Sequence, residues 1–370
     1  MRLPPSPRLT ECLGANRVER LLVMRTDRLG DLLWTTPALR ALRKRFAKAR
    51  ITVLTTPYAA PVLHGNPNVD EVLMLARDRR APWRTRRRER ALVRELIRRR
   101  FDLAVVFARG KGANVRLARR AGIPLVVGMA RDLEGGYLPA RPEHQAAEDL
   151  GVVAALGAGP ESLDLDVAID PEDAAWAARF LADGGWTPGA PLLGIHPGSG
   201  EFLRRPSRPR DRAALERRLW PVDRLAAFAA RFAERHRGRV LLTGTAAERP
   251  RVEPVLRSLG PAAIDAMGRT TVGRLAALIN RADVYVSPDT GPMHLAAALG
   301  TPLVALFGYQ DPAITGPVGG RGARIVLRHS FPCSPCHGWV KRSCSEAVCM
   351  RAITVDEVAV AVDALLGSRA

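Results

Sequence analysis

The chain has 370 residues, 47% of them apolar and 5% aromatic, with a formal charge of +20 and an isoelectric point near 11.2. That is enough apolar material for the cores of two ordinary domains. No stretch approaches the ~18 uncharged apolar residues of a membrane-spanning helix. The first residues carry Arg2, Arg8, Glu11, Arg17, Glu19 and Arg20 in place of an apolar signal core, so a cytoplasmic protein is expected.

Strand-like and helix-like segments alternate from the start. Arg20–Met24 reads as a buried strand, Arg25–Asp31 as a polar turn, and Leu32–Phe46 as a helix with Leu32, Leu33, Leu39 and Leu42 on one face. Strands are predicted at Ile51–Thr55 and Glu71–Leu75, separated by the turn Asn66–Asp70. Arg77–Arg100 is strongly basic, and its second half reads as an amphipathic helix. It is either a solvated face or a surface for anionic lipid head groups or an anionic acceptor. Leu103–Phe107 is a strand, Arg109–Asn114 opens a helix, Leu125–Gly128 is a short strand, and Glu143–Leu156 is helical.

Gly- and Pro-containing stretches at Ala158–Pro160 and Gly184–Gly189 bracket a boundary, with a helix at Pro171–Ala182 between them. A second alternating set starts with Leu192–Ile195 and Arg239–Leu242. Arg204–Arg212 interrupts it as a Pro/Arg-rich loop. Next come a strand at Ala282–Val286, the turn Ser287–Gly291, a small-residue helix to Leu299 and a strand at Leu303–Phe307. That order is a βαβ unit of a parallel sheet. Thr354–Leu366 is a terminal helix beginning with the capping-box pattern Thr354-Val-Asp-Glu357. The alternation predicts an α/β fold of two doubly wound parallel sheets: residues 1–165, residues 166–350, and a C-terminal helix within 351–370. Ligands of such sheets bind beyond the carboxyl ends of the strands, so a site between the two domains is expected.

Three polar turns follow strands: Leu29-Gly-Asp31, His196-Pro-Gly-Ser-Gly200 and Asp289-Thr-Gly-Pro-Met-His294, with Thr243–Glu248 as a fourth. Asp289 or Thr290 is expected to cap the helix, and Gly291 to let a ligand approach the backbone. The first N–H groups of that helix make an anion site, read as a nucleotide phosphate site, or else belong to a plainly capped helix. Neither a Walker loop nor a G-x-G-x-x-G after a strand is present, so P-loop hydrolysis and ordinary NAD binding are not supported. Cys333, Cys336, Cys344 and Cys349 do not have the spacing of a standard zinc ribbon. They are read as reduced thiols organising a loop, with a metal site as the alternative.

Taken in order, Arg28–Arg40, Gly65–Val72, Ile195–Ser199, Trp220-Pro221, Gly244–Glu248 and Ser287–His294 make the chain resemble the glycosyltransferase family 9 heptosyltransferases of lipopolysaccharide inner-core assembly. The resemblance covers nearly the whole chain. It implies a GT-B fold of two facing Rossmann-like domains, acceptor in the first and nucleotide-sugar donor in the second. It also implies inverting transfer of a heptose from ADP-heptose to a saccharide hydroxyl, with no metal or other cofactor. Asp31 matches the general base. His196, Gly198, Ser199, Arg218, Gly244, Glu248, Asp289, Thr290, Gly291 and His294 are the expected donor-side residues. Gly198 and Ser199 lie at the diphosphate, Glu248 at the ribose, and Arg218 in place of a phosphate-binding Lys. Arg28, Gly30 and Arg109 are the expected acceptor-side residues. Asp31 has a second reading as a cap of the helix at Leu32, His294 as a packing residue, and Glu248 as an exposed carboxylate at a helix start. A monomer is expected, with peripheral contact to the inner face of the cytoplasmic membrane through Arg77–Arg100 and no nucleic acid partner. The alternatives are a non-hydrolysing sugar-nucleotide epimerase of the same architecture and, in a different class, a basic nucleic-acid-binding protein. The latter explains the charge but not the Gly-Asp and Asp-Thr-Gly turns, and no Arg/aromatic alternation is present to stack bases.

Overall fold

A computed structural model describes residues 2–15, 17–77, 81–107, 112–130, 133–198, 218–336, 344 and 346–367. The chain divides into two compact units, Met1–Ala168 and Ile169–Ala370.

The first unit holds β1 (Arg2–Leu3), α1 (Pro7–Gly14), β2 (Arg20–Met24), α2 (Leu29–Arg45), β3 (Arg50–Thr55), β4 (Glu71–Met74), α3 (Pro82–Arg99), β5 (Leu103–Val106), α4 (Gly112–Arg120), β6 (Leu125–Gly128), β7 (Gly135–Tyr137) and α5 (Gln145–Ala154). Its sheet runs β1-β7-β6-β5-β2-β3-β4. Every neighbouring pair is parallel except β1 with β7. Leaving β1 aside, the order is that of a dinucleotide-binding sheet, with its switch point between β2 and β5.

The second unit holds α6 (Pro171–Asp183), β8 (Leu192–Ile195), α7 (Val222–His236), β9 (Arg239–Leu242), α8 (Arg249–Leu259), β10 (Ala263–Asp265), α9 (Val272–Arg281), β11 (Val284–Pro288), α10 (Gly291–Leu299), β12 (Leu303–Phe307), α11 (Pro312–Thr315), β13 (Arg324–Arg328), α12 (Val348–Ala352) and α13 (Val355–Gly367). Its sheet, β10-β9-β8-β11-β12-β13, is parallel throughout and repeats the same order, with the switch point between β8 and β11.

Helices cover both faces of this second sheet, which is why its strands are continuous apolar runs. Leu193 and Ile195 of β8, and Val240 and Leu242 of β9, pack against α7, α8 and α13. The alternate residues Leu192 and Leu241 face α6 and α9 instead. The capping box of α13 is formed: Thr354 N–H donates to Glu357 Oε2 at 2.7 Å, and Glu357 N–H to Thr354 Oγ1 at 3.2 Å.

Some expected boundaries move. The helix expected from Leu32 begins at Leu29, so Gly30 and Asp31 lie in its first turn. Pro37 falls inside it, and the Leu33 carbonyl that loses its usual N–H donor accepts from Thr36 Oγ1 at 2.8 Å. The strand expected at Ala282–Val286 runs from Val284 to Pro288. Ala282 instead ends α9, its N–H bonding to Ile279 O. Strands β1, β7, β10 and β13 were not expected.

Candidate functional site

The second unit gathers its polar turns at one end of its sheet. Strands β9, β8, β11 and β12 are consecutive neighbours. Thr243–Glu248 follows β9, His196–Gly198 follows β8, and Asp289–Gly291 follows β11. Gly291 opens α10, and Thr290 occupies its N-cap position with extended backbone. Neither expected capping side chain caps it. The Thr290 hydroxyl turns inward to Pro288 O at 3.2 Å and lies 3.0 Å from Ser287 Oγ. Pro292 has no N–H, and Met293 N–H bonds to Thr290 O at 3.1 Å, so the donor that this helix start turns outward is Gly291 N–H. At a switch point that N–H and the positive end of a helix dipole suit an anion.

Burial pushes the His196 imidazole below its ordinary value, so it is neutral. Its Nδ1 lies 3.1 Å from Thr243 O, which can only accept, so Nδ1 carries the proton. Nε2 is then an acceptor, suited to a hydroxyl rather than a phosphate. Glu248, expected as an exposed carboxylate or a ribose ligand, is 2% exposed. Its Oε2 accepts from Thr245 N–H at 2.8 Å and from the Thr245 hydroxyl at 2.9 Å. A Cβ on Gly198 would sit 2.0 Å from Glu248 Oε1. The Glu248 carboxylate therefore lies against Gly198 of the β8 turn, and a side chain at 198 has to displace it from Thr245. Gly198→Ala is expected to cost ~1–3 kcal/mol in thermal unfolding by overpacking. An unchanged midpoint would mean that the turn moves aside freely.

His294 is buried in α10, with Nε2 3.8 Å from Asp289 Oδ1. The Arg218 guanidinium stacks 4.8 Å from the centre of the Tyr309 ring, just beyond β12. Its charge is thereby held at the strand next to the β11 turn. Trp220 is a core residue, its indole N–H bonding to Ile353 O at 3.0 Å.

The first unit has its own cluster beyond β2. Asp31 is the third residue of α2, and its Oδ2 reaches back to Arg28 N–H at 2.9 Å. It thus braces the first turn from inside the helix rather than capping a helix at Leu32. Its Oδ1 is 3.6 Å from Arg25 Nη2, and the carboxylate remains 26% exposed. Arg25 itself is buried and also pairs with Asp27 at 3.4 Å and Asp149 at 3.2 Å. Asp149, on α5, is fully buried, and burial pushes it up to about 6 despite Arg25 and the Thr35 hydroxyl. Beside this cluster, Asn114 bonds Thr26, and Arg77 reaches both at 3.2 and 3.3 Å. Arg28 is exposed and Gly30 buried in the same turn. Ser199, Arg109 and most of the Pro/Arg-rich insertion lie outside the described residues.

The glycosyltransferase family 9 (heptosyltransferase) profile matches residues 211–346. Lipopolysaccharide heptosyltransferase 1 of Pseudomonas aeruginosa is 28% identical over 334 residues, which covers 88% of this chain and 87% of that protein. The crystal structure of a family 9 glycosyl transferase from Veillonella parvula superposes with a TM-score of 0.76 at 25% identity, covering 95% of this chain and 97% of the other. The E. coli ADP-heptose lps heptosyltransferase II structure gives 0.73 at 22% identity over 95% and 99%. The profile and these relatives make the chain similar to glycosyltransferase family 9. Its two Rossmann-like units are those of the GT-B class.

Several residues of this glycosyltransferase's clusters escaped the sequence reading: Arg25, Thr35, Arg77, Asn114, Asp149 and Tyr309. One signal was present for Asp149. It stands at helical spacing with Val152 and Val153 on the buried stripe of α5, where a carboxylate is out of place. The cysteines among the described residues are thiols, and burial raises the Cys349 thiol above its ordinary value. Among the described residues, no group of three or more His, Cys, Asp or Glu is arranged to hold a metal ion.

Proposed function

We propose that this glycosyltransferase moves a heptose from ADP-heptose to a hydroxyl of a lipopolysaccharide-type envelope saccharide, with inversion and without a metal cofactor. The observation that carries this reading is the uncapped N-terminus of α10 at the switch point of the second sheet. Relatives named for heptose transfer and for ADP-heptose support the choice of donor.

On this reading the N–H of Gly291 and the backbone at Gly198–Ser199 hold the donor diphosphate, and Arg218 supplies the cation. Thr290, by turning its hydroxyl inward, leaves the Gly291 N–H to the ligand. Gly244 and Glu248 fix the neighbouring turn, Asp289 and His294 brace the helix start, and neutral His196 accepts from a donor hydroxyl. The acceptor oxygen attacks the anomeric carbon while its proton passes to Asp31. The bond from that carbon to the diphosphate oxygen breaks, and ADP leaves with the electron pair. A single displacement of this kind inverts the centre. Oriented N–H groups and a guanidinium stabilise the departing charge. Arg28, Gly30 and Arg109 contribute to acceptor binding.

A thermal-shift panel tests the donor. ADP-heptose at 100 times its dissociation constant should stabilise the protein by about 2.7 kcal/mol, more than GDP- or UDP-sugars. Equal shifts from all three would overturn the adenine assignment, and no shift from any would overturn the donor reading.

The acceptor side has a second expectation. Among the described residues, no helix is long and apolar enough to cross a membrane. Helix α3 instead exposes Arg84, Arg86, Arg87, Arg90 and Arg94, together with Trp83 at 62% and Ile97 at 52%. A basic face with flanking apolar side chains suits an anionic membrane surface. Arg86→Glu with Arg87→Glu is expected to weaken sedimentation with phosphatidylglycerol vesicles by ~10-fold or more, at about 1 kcal/mol per charge removed and more on reversal. Unchanged vesicle binding and transfer would sink the idea.

A further inference from the structure

We infer that Asp149 is a positioning residue for Asp31, acting through the guanidinium of Arg25. The inference rests on the reading of Asp31 as the base, which it deepens.

The geometry defines a chain of contacts. Arg25 leaves the end of β2 with Nη2 3.6 Å from Asp31 Oδ1 and Nη1 3.2 Å from Asp149 Oδ1. The second oxygen of Asp149 is 2.7 Å from the Thr35 hydroxyl, one helical turn after Asp31 on α2. The second oxygen of Asp31 is held by Arg28 N–H at 2.9 Å. Each carboxylate is therefore gripped at both oxygens, with one guanidinium shared between them. Asp149 is fully buried while Asp31 is partly open, so one end of the chain is fixed in the core and the other meets solvent.

Neutralising Arg25 does not require this arrangement. Asp27, at 3.4 Å, and Asp31 already supply two negative charges to one guanidinium. A third carboxylate taken wholly out of water is electrostatically expensive. The rise of Asp149 to about 6, with burial as its first cause, records that expense. What Asp149 adds is orientation. It fixes the plane of Arg25, and with it the direction in which Asp31 Oδ1 is held. It also draws on the positive charge of Arg25, leaving less of that charge to pin the Asp31 carboxylate. The groups facing Asp149 are Arg25 from the turn after β2, Thr35 and Asp31 from α2, and Glu148 on its own helix. Glu148 is buried and accepts from Gln145 Nε2 at 2.7 Å.

The test compares Asp149→Asn, Asp149→Glu and Asp31→Asn in steady-state transfer, with melting curves alongside. Asn keeps the shape and the Thr35 contact but removes the charge. Asp149→Asn is expected to leave KM for donor and acceptor nearly unchanged and to lower kcat by ~10-fold. The comparison is read at pH ~8, where Asp149, which loses its proton at about 6, is ionised. Asp149→Glu should recover part of kcat, because it returns a carboxylate to Arg25. A purely structural Asp149 would lower the melting temperature and leave kcat of the folded protein near the wild-type value, which would overturn the inference. If Asp149→Asn does not fold, Thr35→Val removes the hydroxyl that fixes Oδ2, and should lower kcat at unchanged KM, by a smaller factor. An unchanged kcat in that variant overturns the inference equally. Near-normal turnover of Asp31→Asn would instead defeat the base assignment beneath it. An inactive Asp31→Asn with an unchanged kcat in Asp149→Asn defeats only the positioning role.

Discussion

Asp31→Asn is expected to fold normally, bind the donor as the wild type does, and transfer at least ~100-fold more slowly, since a positioned general base contributes ~10²–10⁴-fold. The asparagine retains an oxygen that can accept from Arg28 N–H, so the first turn of α2 keeps its brace. The lost ion pair with Arg25 spans 3.6 Å at a carboxylate 26% exposed, and pairs of that kind contribute about 1 kcal/mol or less. Donor affinity should hold, because every residue assigned to the diphosphate lies in the second unit. The measurements are a melting curve, calorimetric titration with the donor, and turnover with acceptor present. Turnover within ~10-fold of the wild type would remove Asp31 from the chemistry and leave it as a brace of α2.

The parallel strands with both faces covered were legible because burial on two sides demands uninterrupted apolar residues. Arg20–Met24, Leu192–Ile195 and Leu303–Phe307 were read within a residue of their observed bounds. The strands that went unread lacked that signature. β10 and β7 span only three residues each, β7 begins with two glycines, and β13 is an edge strand with Arg at both ends. The start of α2 was hidden by Gly30, a poor helix former, although Asp31 three residues after Arg28 is where a bracing carboxylate belongs.

The candidate site divides along similar lines. The turns after β8, β9 and β11 could be read because glycine, histidine and aspartate directly after a buried run mark a ligand-facing loop. The ways in which Thr290 and Glu248 behave could not. Whether a threonine caps its own helix or turns inward depends on Ser287 and Pro288, and whether Glu248 is exposed depends on how closely Gly198 approaches. Arg25 and Asp149 were least accessible of all. They are 124 positions apart, and although its stripe marks Asp149 as buried, nothing local names the cation that partners it.

That pair carries the largest stability effect. Arg25→Met is expected to destabilise the fold by ~3–5 kcal/mol, because it leaves Asp149 buried without its cation. The sign of its pH dependence follows from linkage. In the wild type, Asp149 is raised from an ordinary 3.8 to about 6. Its contribution is therefore full below 3.8 and lost as pH rises through 6. Removing Arg25 takes away the largest influence opposing that rise, so the native state of the variant binds its proton still more tightly than the unfolded chain does. Stability must then fall more steeply with pH, and the deficit of Arg25→Met should be larger at pH ~8 than at pH ~5. Urea unfolding at the two pH values measures it. Adding Asp149→Leu should recover most of the loss and flatten the pH dependence, since an apolar replacement of both partners leaves no charge to strand. A deficit equal at both pH values, or a double variant no more stable than the single, would mean that Asp149 finds another partner when Arg25 is gone.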